Sequence, residues 1–116
     1  MGRNKFGNVK TSANGISFDS KAEERRYEEL LWLEKAGKIS GLKLQVPFEI
    51  IPALVLPDGT KWAKTEYVAD FRYYDHDKHE WVTEDVKGYK TDVYKIKRKL
   101  MYQVHGIVIF ETWVPR

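Results

Sequence analysis

The chain has no cysteine among its 116 residues. That absence excludes a disulfide frame, a thiolate zinc site and a cysteine nucleophile, and it fits a reducing compartment. Long apolar runs are missing too. Nothing approaches the length of a membrane span and no charged-then-apolar leader opens the chain, so neither membrane insertion nor export is expected. Histidine is sparse. His76 and His79 fall in a polar stretch and His105 near a helix end, which argues against a histidine-ligated metal or a histidine-activated nucleophile. No repeat or low-complexity tract breaks the chain, and the net charge of +3 is too small for a global field. Any attraction to a polyanion must come from how the charges are distributed.

What remains suits one globular domain, with 42% hydrophobic and 14% aromatic residues. Residues 1–16 are expected to be a flexible basic arm, carrying Arg3, Lys5 and Lys10, and residues 17–116 the domain. The arm has two readings, a frayed terminus or a phosphate-touching segment. From Ser20 to about Ala36 the spacing of Ala22, Tyr27, Leu30, Leu31, Leu33 and Ala36 predicts a helix, and Gly37 ends it. Ser20 and Glu23 match a capping box. Glu28 and Glu29 read as solvated charge paired with Arg25 and Arg26.

Leu42–Val46 alternates as a strand and Phe48–Ile51 continues it beyond Pro47, which marks a bend, a bulge or an edge. Gln45 is either an ordinary polar strand residue or one that reaches a functional pocket. Pro57-Asp58-Gly59-Thr60 is a turn, and Trp62 and Trp81 read as packing residues. A second helix starts after an N-cap at Thr91 and stops at Gly106, with Val93, Ile96, Leu100 and Val104 as its buried stripe. Lys90, Lys95, Lys97, Arg98 and Lys99 form a basic cluster opposed locally only by Asp92. Ile107–Phe110 reads as a central strand covered on both faces, followed by a structural or solvent-facing Glu111. The expected fold is α/β, in the order α-β-β-β-α-β, with a mixed central sheet flanked by helices and a right-handed crossover through the second helix.

The segment Tyr67–Gly88 reads as two strands joined by a polar turn, with acids where hydrophobes are usual. Asp70 interrupts an aromatic, β-branched run, and Asp85 and Lys87 share one face of the next strand while Glu84 and Val86 share the other. If the strands pair as a hairpin, Asp70 lies beside Asp85 and two carboxylates converge with an ammonium. Hard carboxylate oxygens suit Mg²⁺, and a neighbouring lysine suits an anionic transition state.

Asp70 followed fifteen positions later by Asp85-Val86-Lys87 resembles the PD-(D/E)XK nuclease signature, with Ala69 in place of the motif proline. The wider string, YVADFRYYD, EDVKG, Tyr94 and the lysine-rich helix, is similar to short phage-type nucleases of the Holliday-junction-resolvase kind over about Ser17 to Thr112. The resemblance implies a restriction-endonuclease-like core and a Mg²⁺-dependent endodeoxyribonuclease, with Mn²⁺ substituting. Asp70 and Asp85 would ligate the metal, the Val86 carbonyl would assist, and Lys87 would orient the attacking water. Glu23 matches the first-helix acid that completes such sites, with Glu24 as the neighbouring alternative. Lys90, Tyr94, Lys95, Lys97, Arg98 and Lys99 would contact DNA, Lys97 nearest the scissile phosphate. The implied substrate is a four-way junction, the implied assembly a symmetric homodimer, and the implied location the cytoplasm of a bacterial host. Two other readings stand beside it: a restriction- or repair-type nuclease acting on duplex ends or single strands, and a non-catalytic DNA-binding module on the same fold.

Overall fold

The computed structural model describes residues 11–13, 16–18 and 20–113. Helix α1 (Lys21–Lys35) starts where its cap is: Ser20 is extended, and its hydroxyl accepts from the Glu23 N–H at 3.1 Å. Glu23 and Glu24 in the first turn and Lys35 in the last suit the helix dipole. Gly37, at φ +77°, turns the chain out of the helix. Helix α2 (Asp92–His105) is capped by Thr91, whose hydroxyl accepts from the Tyr94 N–H, and ends on a left-handed Gly106. Neither helix is long and apolar enough to cross a membrane, among the described residues.

Four strands form the main sheet. They are β3 (Ile39–Ile51), β6 (Thr65–Asp75), β7 (Glu80–Lys87) and β8 (Phe110–Trp113), in the order β3-β6-β7-β8. The first two pairings are antiparallel and β7–β8 is parallel across α2, so the sheet is mixed as expected. β3 runs through Pro47 without a break, because it lies at the sheet edge and tolerates a missing donor.

Two small hairpins are additions to the expected order. β1 (Thr11–Ala13) pairs with β2 (Ile16–Phe18), and β4 (Leu54–Val55) with β5 (Lys61–Trp62). The first straddles the boundary at residue 16 between the segment read as a flexible arm and the domain, and contacts α1; Arg3, Lys5 and Lys10 lie outside the described residues. The second carries Trp62 opposite Leu54 on a hairpin whose residues are nearly all exposed, and Trp62 is half exposed instead of buried. Trp81 is also half exposed and sits edge-on against Tyr74, with ring centroids 5.5 Å apart.

The core divides between the helices. Tyr27 and Leu30 of α1 pack with Ile39, Phe71, Tyr73 and Val82, whereas Tyr94 and Met101 of α2 pack with Ile50, Tyr67, Ala69 and Ile109. Complete burial of Leu30, Phe71 and Met101 contributes about 1.5–3 kcal/mol each. The expected α2 stripe is corrected here: Val93, Ile96 and Val104 are exposed. The 93–96–100–104 row lies beside the 94–97–101 row on the helix, and the sheet takes the larger Tyr94 and Met101. Ile107–Phe110 is not a central strand. β8 begins only at Phe110 and is the other edge, with Ile109 buried and Val108 exposed.

The β3–β6 hairpin changes sides partway along. Leu44 and Phe71, partners in the ladder, belong to the α1 cluster, while Phe48, Tyr67 and Ala69 belong to the α2 cluster. Gln45 lies at the changeover on β3 and takes a left-handed φ of +53°. On β6 the residue at the changeover is Asp70.

Candidate active site

Asp70 projects where β6 and β7 stop pairing. The ladder runs from Asp75↔Glu80 to Phe71↔Glu84, and one step further along the same register brings Asp70 to Asp85. There the Val86 N–H donates to Asp70 Oδ2 at 2.8 Å, so a side-chain carboxylate takes the place of a ladder carbonyl. Asp85 is buried, accepts from the Tyr67 hydroxyl through Oδ2, and faces Lys87 Nζ 3.5 Å from Oδ1. The Lys87 ammonium also stands 3.8 Å above the Tyr94 ring. From α1, the buried Glu23 presents Oε2 to the Gln45 side-chain N–H at 3.0 Å. A left-handed conformation at a non-glycine residue costs on the order of 1 kcal/mol or more. The strained residue is thus the one whose amide reaches Glu23.

The electrostatics tie these groups together. Burial, the charges of Asp85 and Glu23, and a hydrogen bond with Asp85 push the Asp70 carboxyl up to about 9, against the Val86 amide that stabilises its ionised form. Carboxyls from three elements therefore compete for negative charge in one buried place. Burial first, then the Asp85 charge, raises Tyr67, which stays a neutral donor. Glu23 joins Asp70 and Asp85 in this cluster, and Glu24 lies beside it in the first turn of α1.

The basic residues in and just before α2 divide into three groups. Lys90 and Arg98 pair with Glu111 at 3.2 and 2.9 Å, and the buried Tyr94 donates its hydroxyl to the same carboxylate at 2.6 Å. Glu111 resists protonation, because these three hydrogen bonds outweigh the effect of its burial. The cluster is therefore opposed by Glu111 as well as Asp92, a correction to the local reading, since Glu111 arrives beside Asp85 only through the parallel β7–β8 pairing. Lys97 donates to the Glu66 carbonyl at 2.9 Å. Lys95 and Lys99 are exposed.

Sequence reasoning also missed the role of Glu84. It is fully buried, and accepts from Arg26 Nε at 2.6 Å, from Arg26 again at 3.1 Å, and from Tyr73 and Thr112 at 2.6 Å each. Arg26, expected on the solvated face, keeps its Glu29 contact at 3.1 Å but is clamped mainly to Glu84. The signal was present in the strand alternation: Glu84 falls on the side of Val82 and Val86, where an acid requires a buried partner. Because Arg26 is one turn after Glu23, this clamp fixes the turn of α1 that carries Glu23 against β7.

Among the described residues, no three His, Cys, Asp or Glu side chains surround a common metal position. The donor set nevertheless fits Mg²⁺, which commonly takes one or two carboxylates and fills the remainder with water and phosphate oxygens. Asp70 and Asp85 would supply that pair, and a dication there would relieve the repulsion that favours a protonated Asp70.

No curated protein and no solved structure matches the chain. One family does, described as a protein of unknown function, DUF1064, and the match spans residues 3–116. With nearly its whole length matched, the chain belongs to the DUF1064 family.

Proposed function

We propose that this protein is a divalent-metal-dependent endodeoxyribonuclease of the PD-(D/E)XK type, acting on branched DNA such as a four-way junction. The reading is carried by one observation: Asp70 on β6 and Asp85 and Lys87 on β7 meet at the point where the strands part, with Glu23 of α1 beside them. The order α1, β3, β6, β7, α2, β8 supports a restriction-endonuclease-like core with one hairpin ahead of α1 and one inserted between β3 and β6. The preference for branched DNA and the symmetric homodimer rest on the family resemblance of the motif string.

In this reading Asp70 and Asp85 hold Mg²⁺ or Mn²⁺, with the Val86 carbonyl and Glu23 as further oxygens. The ion supplies charge stabilisation at the phosphoryl group and makes water more acidic. Lys87, held between Asp85 and the Tyr94 ring, presents an ammonium to the anionic transition state and to the attacking water. Gln45 holds Glu23, and Tyr67 holds one oxygen of Asp85, leaving the other toward Lys87. Lys95 and Lys99 are the exposed cations of α2 for phosphate contact.

The test compares a four-way junction, a linear duplex and single-stranded DNA with Mg²⁺ and with EDTA. Metal-dependent cutting that favours the junction is expected. Equal cutting of all three removes the junction preference, and no cutting with either Mg²⁺ or Mn²⁺ removes the nuclease reading.

A further inference from the structure

Three exposed aromatic rings line one open trough of about 650 Å³ beside β7 and β8, and each carries a cation over its face. The Arg72 guanidinium is 5.3 Å from the Trp81 centroid, Lys78 Nζ is 5.3 Å from that of Phe110, and Lys90 Nζ is 4.2 Å from that of Trp113. The rings are 53%, 43% and 58% exposed, so each keeps about half of its surface open beside the cation. Aromatic rings of this size normally bury 150–250 Å² and dominate the surfaces they join. Left open three together, they mark a surface awaiting a partner.

The trough is continuous with the acid cluster. Trp113 is the ladder partner of Lys87. Trp81 is on the same side of β7 as Asp85 and Lys87 by strand alternation, about 13 Å from Asp85 at ~3.3 Å per residue. Its charge favours an anion: Glu111 is already matched by Lys90 and Arg98, which leaves Arg72 and Lys78 against Glu80 along the wall. Flat apolar faces interleaved with cations fit a polymer that interleaves flat π faces with anions. A single nucleic-acid strand with unstacked bases is such a polymer. Intact duplex is not, because its base faces are closed against each other.

We propose that this trough holds an unpaired strand of the DNA substrate, its bases stacked on Trp81 and Trp113, and leads that strand to the acid cluster. The inference rests on the nuclease reading and narrows its substrate to DNA with an unpaired run beside the cut, such as a forked or opened branch.

The test is fluorescence anisotropy of a labelled oligothymidylate and of a blunt duplex with the full chain in EDTA. Oligothymidylate binding is expected, weakened roughly five- to 150-fold by Trp81→Ala or Trp113→Ala, as loss of one base–aromatic stack implies, with the duplex less affected. Trp81→Phe keeps a ring and should stay within about threefold of wild type. Circular dichroism melting of each variant separates this from unfolding. Unchanged oligothymidylate binding in a folded Trp81→Ala overturns the inference. So does a Trp81→Ala variant that alters only the sedimenting mass, which would make the trough a contact between copies. The two proposals separate cleanly: Trp81-dependent strand binding without any metal-dependent cutting sinks the nuclease reading alone, and cutting with Trp81-independent strand binding sinks this one alone.

Discussion

Asp70 and Val86 are joined across the gap that opens between β6 and β7: the Val86 N–H donates to Asp70 Oδ2 at 2.8 Å, just past the last backbone pair, Phe71↔Glu84. A carboxylate standing in for a backbone carbonyl is anchored whether or not anything is bound. It also sets apart two substitutions that look alike. Asp70→Asn keeps the acceptor, while Asp70→Ala orphans the amide at a cost of about 1–3 kcal/mol.

The pH dependence of stability follows from the same residue. Unfolded, the Asp70 carboxyl loses its proton near its ordinary 3.8; folded, it keeps it up to about 9. Between those values the native state holds the extra proton, so stability falls as pH rises through the window. Burial and the carboxylates of Asp85 and Glu23 set this, against the Val86 amide. In EDTA, Asp70→Asn should flatten the slope and melt higher than wild type at pH about 8, by roughly 5 °C for each kcal/mol of repulsion removed. Thermal melts across pH measure it; a steeper slope in the variant contradicts the cluster.

Metal binding should then compete with that proton. Mg²⁺ is expected to raise the melting temperature of the wild type more at pH about 8 than at about 6, and to release a proton on binding. Calorimetry in two buffers of different ionisation heat reads the proton directly. Asp70→Asn should lose both effects.

Lys87→Ala removes the ammonium beside Asp85. Cleavage should fall by about 10²–10³-fold, the usual cost of one transition-state donor, while DNA binding in EDTA changes only a few-fold. Single-turnover cleavage with a parallel gel-shift titration separates the two. A loss of binding as large as the loss of cutting contradicts the role assigned to Lys87.

Arg26→Ala leaves Glu84 with a buried, uncompensated charge and should cost about 3–5 kcal/mol in urea denaturation. Ile96→Ser, on the exposed row of α2, should change stability by only about 0.5 kcal/mol, whereas Met101→Ala should cost about 2–5 kcal/mol. The reverse order would restore the helix face read from periodicity.

Local chemistry was well written in the sequence. Ser20, Gly37, Thr91 and Gly106 bound the helices because caps act through their own neighbours, and the alternation of Asp85 and Lys87 put them on one side of β7. What was not legible depended on distant pairing. Glu111 meets Lys90 and Arg98 only because β8 joins β7 in parallel, and Glu84 meets Arg26 across 58 positions. The two apolar rows of α2 differ by a single residue step, and only the sheet decides between them. The β4–β5 hairpin was hidden because two-residue strands carry almost no pattern.

The parallel placement of β8 also governs when this molecule can be finished. During synthesis β7 leaves the ribosome well before Phe110–Trp113, and until those residues dock, one edge of β7 is bare and the Glu84 carboxylate lacks its Thr112 donor. Glu111 is absent too, so Lys90 and Arg98 lack the carboxylate they pair with. A nascent fragment therefore carries every acid of the cluster but not the strand that balances the helix beside it.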